Sequence, residues 1–215
     1  MKISYAVTVC NEFIEIQRLI AFLLEHKRSQ DEIVVQMDLR LDDLKDCPPI
    51  KREVFGYIMK HNEQGNIRVI FCPLNNDFGA FKNHLTQQCE GDYIFQIDAD
   101  EMPCNPILES LPAILESNPD VDVYLVPRVN TVNGLTQEYI NKWGWNVNAE
   151  GWVNWPDYQW RIYKNNSEIR WINKVHERLE GFRQYATLPM EEDYSLYHPK
   201  TIERQVKQNE YYDTL

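Results

Sequence analysis

Along the first 128 residues the hydrophobic period of this chain switches repeatedly between that of a strand and that of a helix, and few architectures accommodate such switching. Short apolar, β-branched runs occupy 3–9, 32–37, 67–71, 93–97 and 121–126. Between them, Ile16, Leu19, Ile20, Leu23 and Leu24 fall at i, i+3, i+4, i+7 and i+8, which predicts a helix with Asn11 as its N-cap. Ile50, Val54, Tyr57 and Ile58 predict a second helix ending near Gly65, and Phe81, His84 and Leu85 a third. Ile107, Leu111, Ile114 and Leu115 predict a fourth, interrupted by Pro112. Strands alternating with helices make a mostly parallel sheet covered on both faces, and these apolar positions are its core.

After Arg128 the texture changes. Trp143, Trp145, Trp152, Trp155 and Trp160 crowd a stretch rich in Asn with little periodicity. Two strands are expected at 158–164 and 169–173, then an acidic loop and a polar helix from about Thr201 to the end. A chain of 215 residues suits one large domain, so residues 1–128 and 129–215 read as two halves of one continuous unit. No apolar run approaches the roughly 20 residues of a membrane span, and the start lacks a signal peptide's apolar stretch. The expectation is a cytoplasmic protein, with peripheral membrane association as the remaining option. The net charge of −11 argues against nucleic-acid partners held through a positive surface. Five cysteines without a Cys-x-x-Cys pair predict reduced, mostly buried thiols, not a disulfide framework or a structural zinc site.

In an open parallel sheet, ligands bind beyond the carboxyl ends of the strands. Thr8, Asn11 and Glu12 follow the first run; Asp38, Arg40, Asp42 and Asp43 follow the second. The third leads to Asn75, Asn76, Asp77 and then Lys82, and the fourth ends directly in Asp98-Ala99-Asp100-Glu101. Any one of these can be a helix cap or a solvated turn. Together they predict one functional edge. At a strand end, positions i and i+2 face the same way, so Asp98 and Asp100 are expected to converge on one point. Their repulsion is relieved by a divalent cation such as Mn²⁺ or Mg²⁺, which keeps water and takes phosphate oxygens. The plain alternative is an acidic turn. The first glycine is Gly56, which excludes a glycine-rich dinucleotide or phosphate loop after the first strand. That turn, Val9-Cys10-Asn11-Glu12, also lacks the Asp nucleophile of an aspartyl-phosphate phosphatase.

These residues resemble glycosyltransferase family 2, which has the GT-A fold. Val7-Thr8-Val9-Cys10-Asn11-Glu12 is similar to that family's first strand and turn, and Glu32-Ile33-Val34-Val35 with Asp38 to its second strand. Asp77 through Asn83 resembles a helix start ending in Arg/Lys-Asn, and Gly91 through Glu101 the Asp-x-Asp strand. Arg161-Ile162-Tyr163-Lys164, Lys174-Val175-His176-Glu177 and Tyr197-His198-Pro199 resemble a bacterial branch that includes lipopolysaccharide-core glucosyltransferases.

The resemblance implies an α/β GT-A fold: a Rossmann-like mixed sheet, nucleotide-sugar half 1–128, and acceptor-side half 129–215 with a small subdomain. It implies inverting transfer from a nucleoside-diphosphate sugar to a saccharide, a lipid-linked saccharide or another hydroxyl acceptor. Asp100 would bind the metal directly, Asp98 through water or by contacting the ribose, and His198 as a third ligand unless it is a hydrogen-bonded structural residue. Thr8, Asn11, Glu12, Asp38, Asp77, Lys82, Asp98 and Arg161 are the candidate donor contacts. Glu177 is the candidate base and Asp193 the second choice; otherwise Glu177 pairs with Lys174 or Arg178. Trp145 and Trp152 are the candidate acceptor platforms, an aromatic face covering a sugar's C–H face, with simple packing as the alternative. Two other functions remain open: a nucleotide- or glycan-binding module without a base, and a metal-dependent nucleotidyltransferase, which would normally carry a glycine-rich basic loop after the first strand.

Overall fold

The structure, a computed structural model, describes residues 1–212, with the side chain of Tyr212 excepted. The end of the expected last helix, 213–215, lies outside the described residues. The chain runs β1 (Ile3–Val9), α1 (Phe13–His26), β2 (Glu32–Asp38), α2 (Pro49–Glu63), β3 (Arg68–Cys72), α3 (Phe78–Thr86) and β4 (Tyr93–Asp98). There follow β5 (Met102–Pro103), α4 (Asn105–Ser117), β6 (Val123–Val126), β7 (Arg128–Asn133), α5 (Gln137–Trp143) and β8 (Gln159–Lys164). The last elements are β9 (Arg170–Ile172), β10 (Arg178–Glu180), β11 (Tyr185–Thr187), β12 (Leu196–Thr201) and α6 (Ile202–Tyr212).

The main sheet has seven strands in the order β11-β6-β8-β4-β1-β2-β3. Parallel pairing joins β4, β1, β2 and β3, whereas β8 lies antiparallel between β4 and β6. A strand from beyond residue 128 thus enters the middle of the sheet, and Ile162 and Tyr163 of β8 are fully buried there. Period-two alternation divides the core. Ile3, Tyr5, Val7 and Val9 face the cluster of Ile16, Leu19, Leu23, Val54, Ile58 and Leu111, contributed by α1, α2 and α4. Ala6, Val34, Ile94 and Tyr163 face Leu85 of α3 together with Trp171 and Leu179 of the β9–β10 ribbon. A second sheet, β5-β12-β7, stands beside the first.

Four local expectations change. The N-cap of α1 is Glu12, not Asn11, and it makes no side-chain cap bond because its carboxylate bonds backwards into the turn. Helix α4 continues through Pro112, since Leu111 and Leu115 beside it are held in the core. The tryptophan-rich stretch is not irregular throughout: it is flanked by β7 and contains α5. Of the five free thiols only Cys89 is buried; the others are half-exposed. No helix among the described residues is long and apolar enough to cross a membrane.

Helix α3 packs on β9 so closely that a Cβ at Gly79 would lie 2.6 Å from the Asn173 carbonyl oxygen. Gly79→Ala is expected to cost about 1–3 kcal/mol through overpacking against backbone. Gly56→Ala, in a helix interior with nothing within 4 Å of the new methyl, is expected to gain about 0.5–1 kcal/mol. Urea denaturation of both variants checks the pair; equal effects would contradict the packing described.

Candidate active site

The carboxyl ends of β1, β2 and β4 open into a cavity of about 860 Å³, whose other walls come from β7, β8, β12, α6 and the 145–161 segment. Local chemistry sets each group. Beyond β1, Glu12 accepts the backbone N–H groups of Cys10 (2.8 Å) and Asn11 (3.0 Å), which folds the turn and leaves its other oxygen facing Arg204 at 3.2 Å. At the end of β2, Asp38 accepts the Leu74 N–H at 2.9 Å and pairs with Lys51 at 3.1 Å. At the end of β4 the Ala99 N–H donates to the Thr8 carbonyl and the Glu101 N–H turns back to the Asp98 carbonyl.

Asp98 and Asp100, expected to converge, line the same cavity but take different partners. Strand β4 stops at Asp98, so alternation of side chains no longer governs position 100. Asp98 is bound by the Thr8 hydroxyl (2.7 Å) and Arg161 (2.9 Å), with the Lys82 ammonium at 3.6 Å. Asp100 instead meets His198 at 3.2 Å and Arg204 at 3.3 Å. Burial would raise both carboxyls. Lys82 and Arg161 hold Asp98 well below the usual range, and the His198 hydrogen bond, Lys200 and Arg204 do the same for Asp100.

A chain of alternating charges links the two. Arg161, 3% exposed, grips Glu101 with two bonds of 3.0 and 2.7 Å. Glu101 also receives Arg128 at 3.0 Å, and Arg128 binds Asp157 at 2.8 Å. Asn130 donates to Asp157 at 2.6 Å, so its amide oxygen is the atom that faces His198 Nδ1 at 2.8 Å. His198 Nδ1 must then donate, which leaves Nε2 directed at the Asp100 carboxylate. Burial lowers the pKa of His198 despite that carboxylate. A neutral imidazole would turn a nitrogen lone pair towards the carboxylate oxygen, whereas a protonated one donates to it.

This is the test of a metal ion, and Asp100 with His198 fits one. A cation between them would take both lone pairs, and an N,O pair suits Mn²⁺. Among the described residues no group of three or more His, Cys, Asp or Glu side chains is disposed to hold an ion. If an ion binds there, the protein would supply two ligands, the rest coming from water and diphosphate oxygens, as hard cations at such sites accept. Both Asp98 oxygens already have partners, Oδ1 the Thr8 hydroxyl and Oδ2 Arg161, with the Lys82 ammonium 3.6 Å from Oδ1.

The other candidates separate cleanly. Thr8, Asn11, Glu12, Asp38, Lys82, Arg161, Glu177 and Trp145 line the cavity. Glu177 pairs with Lys82 at 2.5 Å, not with Lys174 or Arg178; Arg178 bonds Glu180 at the surface. Burial would raise the Glu177 carboxyl, yet Lys82 brings it below its ordinary value. Three candidates fall outside. The Asp77 carboxylate caps α3 through the Ala80 N–H at 2.8 Å. Asp193 is exposed on a single turn of 3-10 helix, Glu192–Tyr194, and Trp152 packs edge-on against Trp155. Neither lines the cavity. Arg128, Asn130, Asp157, Lys200 and Arg204 line it without having been singled out as site residues from the sequence. Local pattern does not mark Asp157, because its partners Arg128 and Asn130 come from a distant strand.

Residues 4–186 match the family model described as Glycosyl transferase family 2. No curated protein matches the chain. Among solved structures, S. aureus TarS 1-349 superposes with a TM-score of 0.59 at 17% identity, over 93% of this chain and 60% of that one. TarS 1-349 in complex with UDP-GlcNAc gives 0.60 over 93% and 59%, and in complex with UDP 0.61 over 93% and 60%, both at 17% identity. The chain therefore spans about 60% of the length of TarS 1-349. The mixed sheet with helices on both faces is the GT-A arrangement.

Glu101 has no exposed side-chain surface and two guanidinium partners. Glu101→Gln keeps the shape and removes the charge, leaving Arg161 only Asp98 and Arg128 only Asp157 as carboxylate partners, and is expected to cost about 3–5 kcal/mol in urea denaturation. A loss below about 1 kcal/mol, the value of an exposed pair, would contradict the burial described.

Proposed function

The chain belongs to glycosyl transferase family 2, and on that premise we propose that it transfers a sugar from a nucleoside-diphosphate donor to a hydroxyl acceptor with inversion. The observation that supports the metal-dependent form of this reading is the His198 Nε2–Asp100 pair, an imidazole nitrogen and a carboxylate oxygen 3.2 Å apart on the cavity wall. A cation held there, Mn²⁺ or Mg²⁺, would offset the charge that develops on the leaving diphosphate. The UDP and UDP-GlcNAc complexes of TarS make uridine the first base to try.

The chain's own residues divide the remaining work. Thr8, Arg161 and Lys82 hold Asp98 ionised and fixed, so that it can accept a donor hydroxyl. Asp38, Asn11 and Glu12 border the donor side, and 1–128 is the donor half. Trp145, Val153 and Trp160 border the other side, in the acceptor half 129–215. Glu177, kept ionised by Lys82, takes the proton of the attacking hydroxyl at a carboxylate oxygen. Arg161, Glu177 and His198 face one cavity, which supports placing the chain in the branch that includes lipopolysaccharide-core glucosyltransferases, with a saccharide or lipid-linked saccharide acceptor. A nucleotide donor and unpaired thiols favour the cytoplasm.

One observation favours a second reading. Glu177 and Asp157, carboxylates of residues 129–215 that line the cavity, are both ion-paired, with Lys82 and Arg128. A module that binds nucleotide and glycan without catalysis would tolerate this. It predicts Mn²⁺-dependent binding without turnover.

A panel of nucleotide sugars with Mn²⁺, scored by nucleoside diphosphate release, separates the two. Asp100→Ala is expected to lower release at least about 100-fold, and Glu177→Gln about 10²–10⁴-fold. Release by Asp100→Ala equal to that of the parent would remove the metal site from the mechanism. Trp145→Ala is expected to lose transfer while keeping donor hydrolysis, whereas Trp152→Ala keeps both. Loss of transfer in Trp152→Ala alone would move the acceptor platform.

A further inference from the structure

Helix α6 continues directly from β12, the strand that carries His198, and turns back across the strand ends. Near its start, the Arg204 guanidinium reaches three carboxylates: Glu15 at 2.9 Å, Glu12 at 3.2 Å and Asp100 at 3.3 Å. Near its end, the Tyr211 hydroxyl donates to Asn76 at 2.8 Å, in the turn after β3. Gln205, Lys207 and Gln208 between them line the cavity, and Lys200 bonds Gln208. The helix therefore bridges from the ends of β1 and β4 to the end of β3 and walls the cavity over Asp38.

Resting on the donor and metal assignment above, we propose that Arg204 is a positioning residue that couples α6 to the donor. It serves as the counter-ion of Asp100 in the free chain and passes to the diphosphate when nucleotide and metal arrive. The argument is one of exclusive contacts. Arg204 lies 3.3 Å from Asp100 Oδ2, the same oxygen that faces His198 Nε2. A divalent ion bonded there at about 2.1 Å puts a second positive charge beside the guanidinium. Metal alone must therefore push Arg204 off Asp100. Glu12 and Glu15 keep hold of the side chain, so it stays at the cavity edge. A diphosphate brings its own oxygens, and a guanidinium's planar fork binds such oxygens in pairs where an ammonium is only a point charge. The same residue opposes the metal by itself and favours the metal together with nucleotide.

Calorimetric titration of Mn²⁺ alone, and of UDP in saturating Mn²⁺, tests this on the parent, Arg204→Gln and Arg204→Lys. Arg204→Gln is expected to bind Mn²⁺ about tenfold more tightly and UDP about tenfold more weakly, a factor of ten being one charged contact's worth. Arg204→Lys keeps the charge and loses the fork, so its Mn²⁺ affinity stays at the parent value while UDP binding falls. Hydrogen exchange of amides 202–212 in the parent is expected to quicken with Mn²⁺ alone and to slow again when UDP is added. Affinities of Arg204→Gln that are unchanged, or that move in the same direction, overturn the proposal and leave Arg204 a structural pin. A parent that binds neither Mn²⁺ nor UDP overturns the donor assignment, and this inference with it.

Discussion

Glu101 sits between Arg161 and Arg128 with no side-chain surface open to solvent, and the geometry of the site depends on that carboxylate. It comes from the turn after β4, Arg161 from β8 and Arg128 from the start of β7. Three segments far apart in the chain are thereby locked at one point. A buried charge without a partner is among the costliest defects a fold can carry, so the three must meet or none can be buried. Once Arg161 is committed to Glu101, its remaining N–H reaches Asp98, and Arg128 has groups left for Asp157. The network that follows is a sequence of obligations, each polar group handing an unmet bond to the next.

Those obligations decide how two neighbouring aspartates divide. Asp98 faces fixed cations on α3 and β8, which hold it ionised without any added ion. Asp100 faces an imidazole whose tautomer is set by Asn130 and a guanidinium carried on α6. One carboxylate is thus bound by α3 and β8, and the other by β12 and α6. The difference arises where β4 ends, because two more residues of strand, through Asp100, would have turned both side chains to the same face.

Much of the frame was legible from local pattern. Five apolar runs correspond to β1, β2, β3, β4 and β6, and the 3.6-residue spacing located α1 to α4, because each element buries its own periodic face. Thr8, Glu12, Asp38, Lys82 and Asp98 line the cavity because strand ends of a parallel sheet share one edge. The rest was set by contacts between distant segments. In the pairing of β7 with β12, His198 lies opposite Asn130, and neither strand alternates clearly enough to announce a partner. Asp77 shows the limit of reading residue types: the same carboxylate serves as a cap or a ligand, and the Ala80 N–H had the prior claim. Arg204 sits in a helix whose polar residues look uniformly like a solvated face.

The concentration of ionic pairs at one cavity is itself an argument about function. Replacing a buried ion pair with apolar residues of similar volume is often neutral or stabilising by about 1–4 kcal/mol, so stability alone does not account for such pairs. Elsewhere the buried interior is largely apolar; Arg161, Glu101 and Lys82 are buried at the cavity, against Tyr163, Trp171 and the main sheet. What their positions share is the open end of the strands. A set of paired charges there provides fixed dipoles and ions that need no reorganisation when a charged substrate enters, which water or an apolar wall does not provide. The cost in stability is met by the continuous apolar core on both faces of β1, β2 and β4, which holds the strand ends and the charges gathered there in place.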